Sequence, residues 1–321
     1  MKAVRISAPR VAEVVDVPAP KPRGADVLVR VEAASLCATD RKLAARGTPE
    51  PRIPGHEVAG RLEDGTPVGL HPDIGCGHCP ACQAGLENRC PERVSIGLDR
   101  DGGLAEWVAV PVDHAVPLNG LALDVSPFLE PLACCLHAVS LLDVRPRDPA
   151  VVVGAGAMGI LCMWALQQAG AAVAVCQRSP ERRQLAAELG AQAVLGPAEH
   201  ASNALGEAPR AAVVAAPGAE ALEWALREVQ VGGAVHAFAG SPDEARVDGN
   251  IVHYRHLTLV GSTGSTLADY TRARELVATG AVRLERLLGP TIGLEEVPSA
   301  LLDERDPLEL KVMVDVGGGS S

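Results

Sequence analysis

Residues 151–168 read VVVGAGAMGILCMWALQQ, and a further apolar run, AAVAVC, follows at 171–176. A β-branched run entering a glycine turn and leaving as an apolar, helix-favouring segment predicts strand, turn, helix and second strand. In the turn, Gly154 permits the tight bend and Gly156 lets the backbone approach a pyrophosphate, while Gly159 lets helix pack on strand. Ala157 and Met158 complete the GAGAMG turn directly before the helix GILCMWALQQ, at whose N-terminus free amide groups and the helix dipole favour an anion. A glycine pattern alone is a weak signal; strand, helix and second strand around it make residues 151–176 a dinucleotide-binding unit. The same stretch has no formal charge from 150 to 176 and is long enough to cross a bilayer, but its glycines and Gln167 and Gln168 break it up, so no membrane span is expected.

The position ending the second strand selects the coenzyme, because an Asp or Glu there would bind the adenosine ribose hydroxyls. Here the chain reads Cys176, Gln177, Arg178. With no carboxylate, and with Arg178, Arg182 and Arg183 available to a 2′-phosphate, NADP is favoured over NAD. A solvated helix face is the competing reading for Arg182 and Arg183.

Outward from this unit, strand and helix alternate. Ser179 and Pro180 form a helix start and Gly190 a stop. AQAVL, RAAVVAA, GAVHAFA and LTLVGS supply strands, and AEALEWALREV a helix. The expected fold class is therefore α/β, with a Rossmann doubly wound parallel sheet. Before about Pro131 the rhythm is different: KAVRISA, VAEVVDV and DVLVRVEAA, separated by the Pro-rich PAPKPRGA, predict an antiparallel, barrel-like domain. A late helix, LADYTRARELVAT, leads to a closing ELKVMVDV strand expected to rejoin that first domain, and the GGGSS tail is expected to be flexible.

With 321 residues, 47% of them hydrophobic, the chain can bury two cores. A net charge of −11 without a clustered basic stretch excludes a nucleic-acid partner. The N-terminal MKAVRISAPR lacks a secretory pattern, so a cytoplasmic location is expected, and with it reduced cysteines. Four of the nine cluster. Cys76, Cys79, Cys82 and Cys90 lie in GCGHCPACQAGLENRC, where short steps let four thiolates converge on one tetrahedral ion. Four soft ligands with no open position describe a structural zinc; an iron–sulfur centre is the competing reading.

Cys37 in SLCATD, His56 and Glu57 in PGHE, and Glu130 in FLEPLA supply a thiolate, an imidazole and carboxylates from separated segments, a donor set suited to a catalytic zinc. In order along the chain, CATD, GHE, the four-cysteine lobe, EPL and GAGAMG resemble the zinc-dependent medium-chain alcohol and polyol dehydrogenases, the family that includes sorbitol dehydrogenase. The resemblance implies a mainly β, GroES-like catalytic domain at 1–128 and 264–321 with the zinc lobe at about 75–92, and a Rossmann domain at 129–263. It implies two zinc ions per chain: one on the four cysteines, and a catalytic one on Cys37, His56 and a carboxylate from Glu57 or Glu130. It assigns Thr39 to holding the substrate oxygen and passing its proton away, Asp40 to orienting a ligand, and Glu57 to the catalytic set.

The implied reaction passes hydride between NAD(P) and a secondary alcohol or ketone of a polyol, cyclitol or sugar-like substrate. The implied assembly is a homodimer or homotetramer, and an aromatic content of 2% agrees with a polar substrate. Two departures from the family pattern stand out. Lys42 occupies the position where members carry a relay histidine, and VAGRLEDGTPVGLHP shortens the stretch between His56 and Cys76. A zinc-free quinone or enone reductase and a nicotinamide-binding sensor with structural zinc alone are the alternative readings.

Overall fold

The β-branched run before the glycine turn forms the strand Pro149–Val153, every residue of it buried. Ala172–Cys176 and Ala211–Val214 flank it, and all pairings are parallel. The full sheet runs Ala193–Leu195, Ala172–Cys176, Pro149–Val153, Ala211–Val214, Ala234–Ala237, Thr258–Gly261. Chain order therefore reverses beside Pro149–Val153, and the C-terminal end of that strand is the switch point at which such sheets bind ligands. The helix Ala157–Gln168 starts there from Gly156, which offers no capping side chain, and buries Ile160, Leu161, Met163 and Leu166. Gly154 has φ 107°, and a Cβ on Gly159 would stand 1.9 Å from the Gly154 carbonyl oxygen, so only glycine lets the helix close on the turn. Ser179 caps the helix Pro180–Glu188 by accepting the Arg182 amide at 3.2 Å.

In this computed structural model residues 1–304, 306 and 308–317 are described, and the last four residues of the GGGSS tail lie outside the described residues. The chain divides into two compact units, residues 1–133 with 265–321, and residues 134–264.

The discontinuous unit is mainly β. Lys2–Ala8 and Val11–Asp16 form an antiparallel hairpin. A second sheet runs Thr291–Gly293, Met313–Asp315, Asp26–Ser35, Val58–Leu62, Pro67–Leu70, Ala115–Pro117, with Trp107–Pro111 also on Asp26–Ser35. The closing segment does rejoin the first domain: Met313 pairs with Ser35 and Val314 with Ala34, antiparallel. On the other side Ala34 pairs with Val58. The Leu36 amide donates to Val312 O at 3.0 Å and the Ser35 amide to Glu57 O at 3.0 Å. Three adjacent strand ends therefore bring Ser35 and Cys37, His56 and Glu57, and Lys311 to one place, although the chain separates them widely. Val29, Val31, Val58, Val68, Leu70, Val108 and Val314 share the core beneath.

Gly159→Ala tests the turn. The added methyl is expected to cost about 1–3 kcal/mol, as overpacking does, read as a lower thermal midpoint together with weaker coenzyme binding. Unchanged stability and binding would contradict the packing.

Candidate active site and zinc centres

Cys37 is the N-cap of the helix Ala38–Arg46, whose first turn carries Thr39 and Asp40. Asp40 is fully buried and doubly anchored: its Oδ2 accepts the Cys37 amide at 2.9 Å and its Oδ1 the Gly55 amide at 3.2 Å. The same Oδ1 lies 3.3 Å from His56 Nδ1, an ion-pair distance without the alignment of a hydrogen bond. Asp40 thus faces one ring nitrogen and leaves Nε2 as the ligand atom. Burial works to raise the Asp40 carboxyl, but His56, the Cys37 amide and Lys311 hold it below the usual range. Burial works to lower the His56 imidazole, yet Asp40 and then Cys37 hold it well above the ordinary histidine value.

Donor atoms of Cys37, His56 and Glu57 lie within 4.8 Å of one another. Glu57 is fully buried; it accepts from Ser35 Oγ and pairs with Lys311 Nζ at 2.5 Å. Lys311 is 5% exposed and sits 6.0 Å from the centroid of the Phe128 ring. Burial works to lower its ammonium, but Glu57, Cys37 and Glu130 together raise it. Glu130, in the first turn of the helix Leu129–Ser140, is buried and near enough to act on Lys311, but is outside the Cys37, His56, Glu57 group. Thr39 is half-buried in the first turn beside Cys37. The fit to a divalent cation follows from charge: three buried carboxyl groups, Asp40, Glu57 and Glu130, face a single buried lysine, beside a thiol and an imidazole.

Neither Lys311 nor Ser35 was predicted as a site residue. Neither stands out in the sequence: Lys311 is one of three charges in ELKVMVDV, with Glu309 and Asp315, and Ser35 ends an ordinary strand segment.

The second cluster is local. Sγ atoms of Cys76, Cys79, Cys82 and Cys90 lie within 4.8 Å of one another. Cys79 also caps the short helix Pro80–Gln83. Backbone amides point at the sulfurs: Cys76 N to Cys90 Sγ, Cys79 N to Cys76 Sγ and Cys82 N to Cys79 Sγ, each at 3.4 Å. Such N–H donors stabilise thiolate, the form a metal needs. The His78 backbone leads in lowering the Cys76 thiol to about 6, whereas Cys82, despite the Gly77 amide, is pushed up to about 12 by burial and the neighbouring thiols. His78 is exposed and bonded through Nδ1 to Cys76 O at 2.9 Å, outside the four-sulfur group. Cys134 and Cys135 belong to the helix Leu129–Ser140, and Cys135 is engaged with Cys162, whose Sγ stands 3.3 Å away.

At the glycine turn, Gly154, Gly156, Ala157, Met158 and Gly159 adjoin the switch point. Arg182 Nη1 donates to Ala155 O at 2.9 Å, so its guanidinium lies over the turn. Arg183 Nη1 is tied to the carbonyls of Gln177 and Arg178 at 2.7 and 2.9 Å. Arg178 is exposed, and its amide donates to Gln177 Oε1 at 2.6 Å.

Comparison with known proteins agrees with this arrangement. Residues 23–120 match the alcohol dehydrogenase GroES-like domain and residues 157–279 the zinc-binding dehydrogenase domain. The L-threonine 3-dehydrogenase of Pyrococcus horikoshii is 30% identical over 86% of this chain and 87% of its own length. The chain belongs to the zinc-dependent medium-chain alcohol and polyol dehydrogenase family. The L-galactonate-5-dehydrogenase of Escherichia coli K12 is 27% identical, with 84% of this chain and 85% of that protein aligned. A structure described as a zinc-binding dehydrogenase of Sinorhizobium meliloti 1021, bound to NADP, superposes with TM-score 0.89 at 33% identity, covering 98% of this chain and 99% of that one. As a member of this dehydrogenase family the chain is a nicotinamide-dependent oxidoreductase with a GroES-like and a Rossmann domain. No described helix is long and apolar enough to cross a membrane.

The thiol ordering in the lobe has a measurable consequence. Cys76 titrates near 6 in the metal-free state, so zinc uptake at pH 7–8 displaces no proton from it, whereas below pH 6 it must. In chelator competition, the slope of log affinity for the lobe against pH is expected to steepen by about one proton below pH 6. A slope unchanged across that point would contradict the ordering.

Proposed function

We propose that this dehydrogenase oxidises a secondary alcohol of a polyol, cyclitol or sugar-like substrate, and reduces the corresponding ketone, with a catalytic zinc on Cys37, His56 and a carboxylate. The Cys37, His56, Glu57 group, its last two members buried and with Asp40 behind the histidine, is the observation that carries this reading. Glu57 is the carboxylate within reach of the other two donors, and Glu130 faces the same lysine from the helix Leu129–Ser140. The relatives named above act on L-galactonate at position 5 and L-threonine at position 3, both polar substrates.

Zinc at this site supplies Lewis acidity toward the substrate oxygen. The chain's residues do the rest. Asp40, held by two backbone amides, fixes the His56 ring. Lys311 and Ser35 fix Glu57 in its rotamer. Thr39, two residues after Cys37 and partly open to solvent, relays the hydroxyl proton on oxidation, accepting it as its own proton passes to solvent, and runs the relay backwards on reduction. A bound nicotinamide would accept the hydride of the carbinol carbon, which with the hydroxyl proton accounts for the two hydrogens lost from the alcohol. A second, structural zinc on Cys76, Cys79, Cys82 and Cys90 keeps the lobe folded.

NADP is the proposed coenzyme. Gln177 stands where a carboxylate would select the ribose hydroxyls, and Arg178 is exposed beside it, while Arg182 and Arg183 are bonded to backbone carbonyls. We also propose a cytoplasmic homodimer or homotetramer, with residues 1–128 and 264–321 as the catalytic domain and 129–263 as the coenzyme domain.

Fluorescence titration with NADPH and NADH, followed by a polyol and aminocyclitol panel, tests the assignment. The expected result is tighter NADPH binding, turnover of at least one polyol, and loss of turnover in His56→Ala with NADPH binding retained. Turnover that survives His56→Ala would sink the catalytic site. Arg178→Ala is expected to weaken NADPH about tenfold, the value of one charge-assisted hydrogen bond, and to leave NADH unchanged; equal losses for both would overturn the phosphate-facing role.

A further inference from the structure

The Pro-rich segment between the second and third strands does more than connect them. Residues 18–24, PAPKPRG, form one wall of a hollow of about 1070 Å³ in the discontinuous unit. This volume lies at the upper end for small-molecule sites. Five cationic side chains line it, Arg5, Lys21, Arg23, Arg52 and Arg100, in a chain whose net charge is −11. The acids lining it are Asp26, Glu50 and Asp101. Arg100 pairs with Asp26 at 3.0 Å and Arg52 with Asp101 at 3.5 Å, while Arg5 turns to Glu13 at 3.0 Å.

Those pairs leave donors over. The Nε–H groups of Arg5 and Arg52 are buried and meet no acceptor. These nitrogens are closed to solvent, so the contacts of a ligand fall to the outer guanidinium nitrogens of the lining arginines and to Lys21 and Arg23. Lys21 and Arg23 are exposed, and their side chains have no hydrogen-bond or ion-pair partner among the described residues. Pro20 and Pro22 flank Lys21 and fix the backbone on both sides, so Lys21 and Arg23 lose little chain entropy when a ligand engages them. Trp107, from the strand Trp107–Pro111, adds an indole to the same wall.

We propose that this hollow binds a small organic anion carrying two or more acidic groups, a polycarboxylate or a phosphorylated sugar, at a site separate from the zinc and coenzyme residues. None of the lining side chains belongs to the catalytic set, the cysteine lobe or the glycine turn. The spread of cations over a hollow far larger than one phosphate calls for acidic groups some distance apart. Lys21 and Arg23 hold one of them, and the outer guanidinium nitrogens of the lining arginines another.

Isothermal titration of the zinc-loaded protein, already saturated with coenzyme so that the pyrophosphate site is filled, tests this with two probes. Fructose 1,6-bisphosphate represents the phosphorylated class and benzene-1,3,5-tricarboxylate the carboxylate class. Zinc content is measured before and after, so that chelation is recognised. The expected result is saturable one-to-one binding of at least one probe, weakened at least tenfold in Lys21→Ala/Arg23→Ala. Both residues are exposed in a loop, so the double variant is expected to keep its thermal midpoint, zinc content and coenzyme affinity. The probe that binds identifies the acidic group preferred. Saturable binding of neither probe, or equal binding by the double variant, would overturn the proposal.

Discussion

A buried charge is tolerable only beside its opposite, and the β unit is organised around that condition. Glu57 is fully buried and Lys311 nearly so, and each is the other's partner at 2.5 Å. Removing one member of such a pair costs about 3–5 kcal/mol, because the other stays buried without compensation. The partnership depends on strand register. Met313 opposite Ser35, and Val58 opposite Ala34, bring the lysine, the serine and the glutamate to the same end of three adjacent strands. A slip of one residue would turn these side chains to the other face of the sheet. The closing strand, paired on both sides within the sheet, therefore also completes the electrostatics of the site.

The two groups of candidate metal donors differ in how the chain constructs them. The four cysteines fall within 15 consecutive residues, and the turns between them aim backbone amides at the sulfurs, so local folding is enough. Cys37, His56 and Glu57 meet only after the sheet has formed, with Asp40 tied to the Gly55 amide and facing the histidine. The first arrangement gathers four sulfurs, enough to fill a tetrahedral shell with no place for substrate. The second is surrounded by groups that control charge, including a carboxylate behind the imidazole and a lysine against the glutamate, as a reactive centre requires.

How much of this was legible in the sequence follows the same division. The glycine turn, the Ser179 cap and the cysteine lobe are short-range patterns, and each appears in the structure as read. The grouping of Cys37, His56 and Glu57 was legible only through family resemblance, since nothing in their spacing brings them together. Lys311 was missed because its partner is 254 residues away and its own segment reads as an ordinary apolar strand. The arginines after the second strand show a further limit. Composition presents Arg178, Arg182 and Arg183 as equivalent cations, whereas Arg182 and Arg183 spend donors on backbone carbonyls and Arg178 remains exposed.

The central claim is that the half-buried Cys37 thiol and the buried imidazole and carboxylate form a metal site distinct from the cysteine lobe. Replacement of zinc by cobalt(II) reads both sites at once, because sulfur-to-cobalt charge transfer and the visible ligand-field bands report the donor set and coordination of each ion. The expected result is two cobalt ions per chain, with Cys37→Ser losing one ion and its share of the charge-transfer absorption while the four-sulfur spectrum persists. One cobalt per chain, with a spectrum unchanged by Cys37→Ser, would contradict the account.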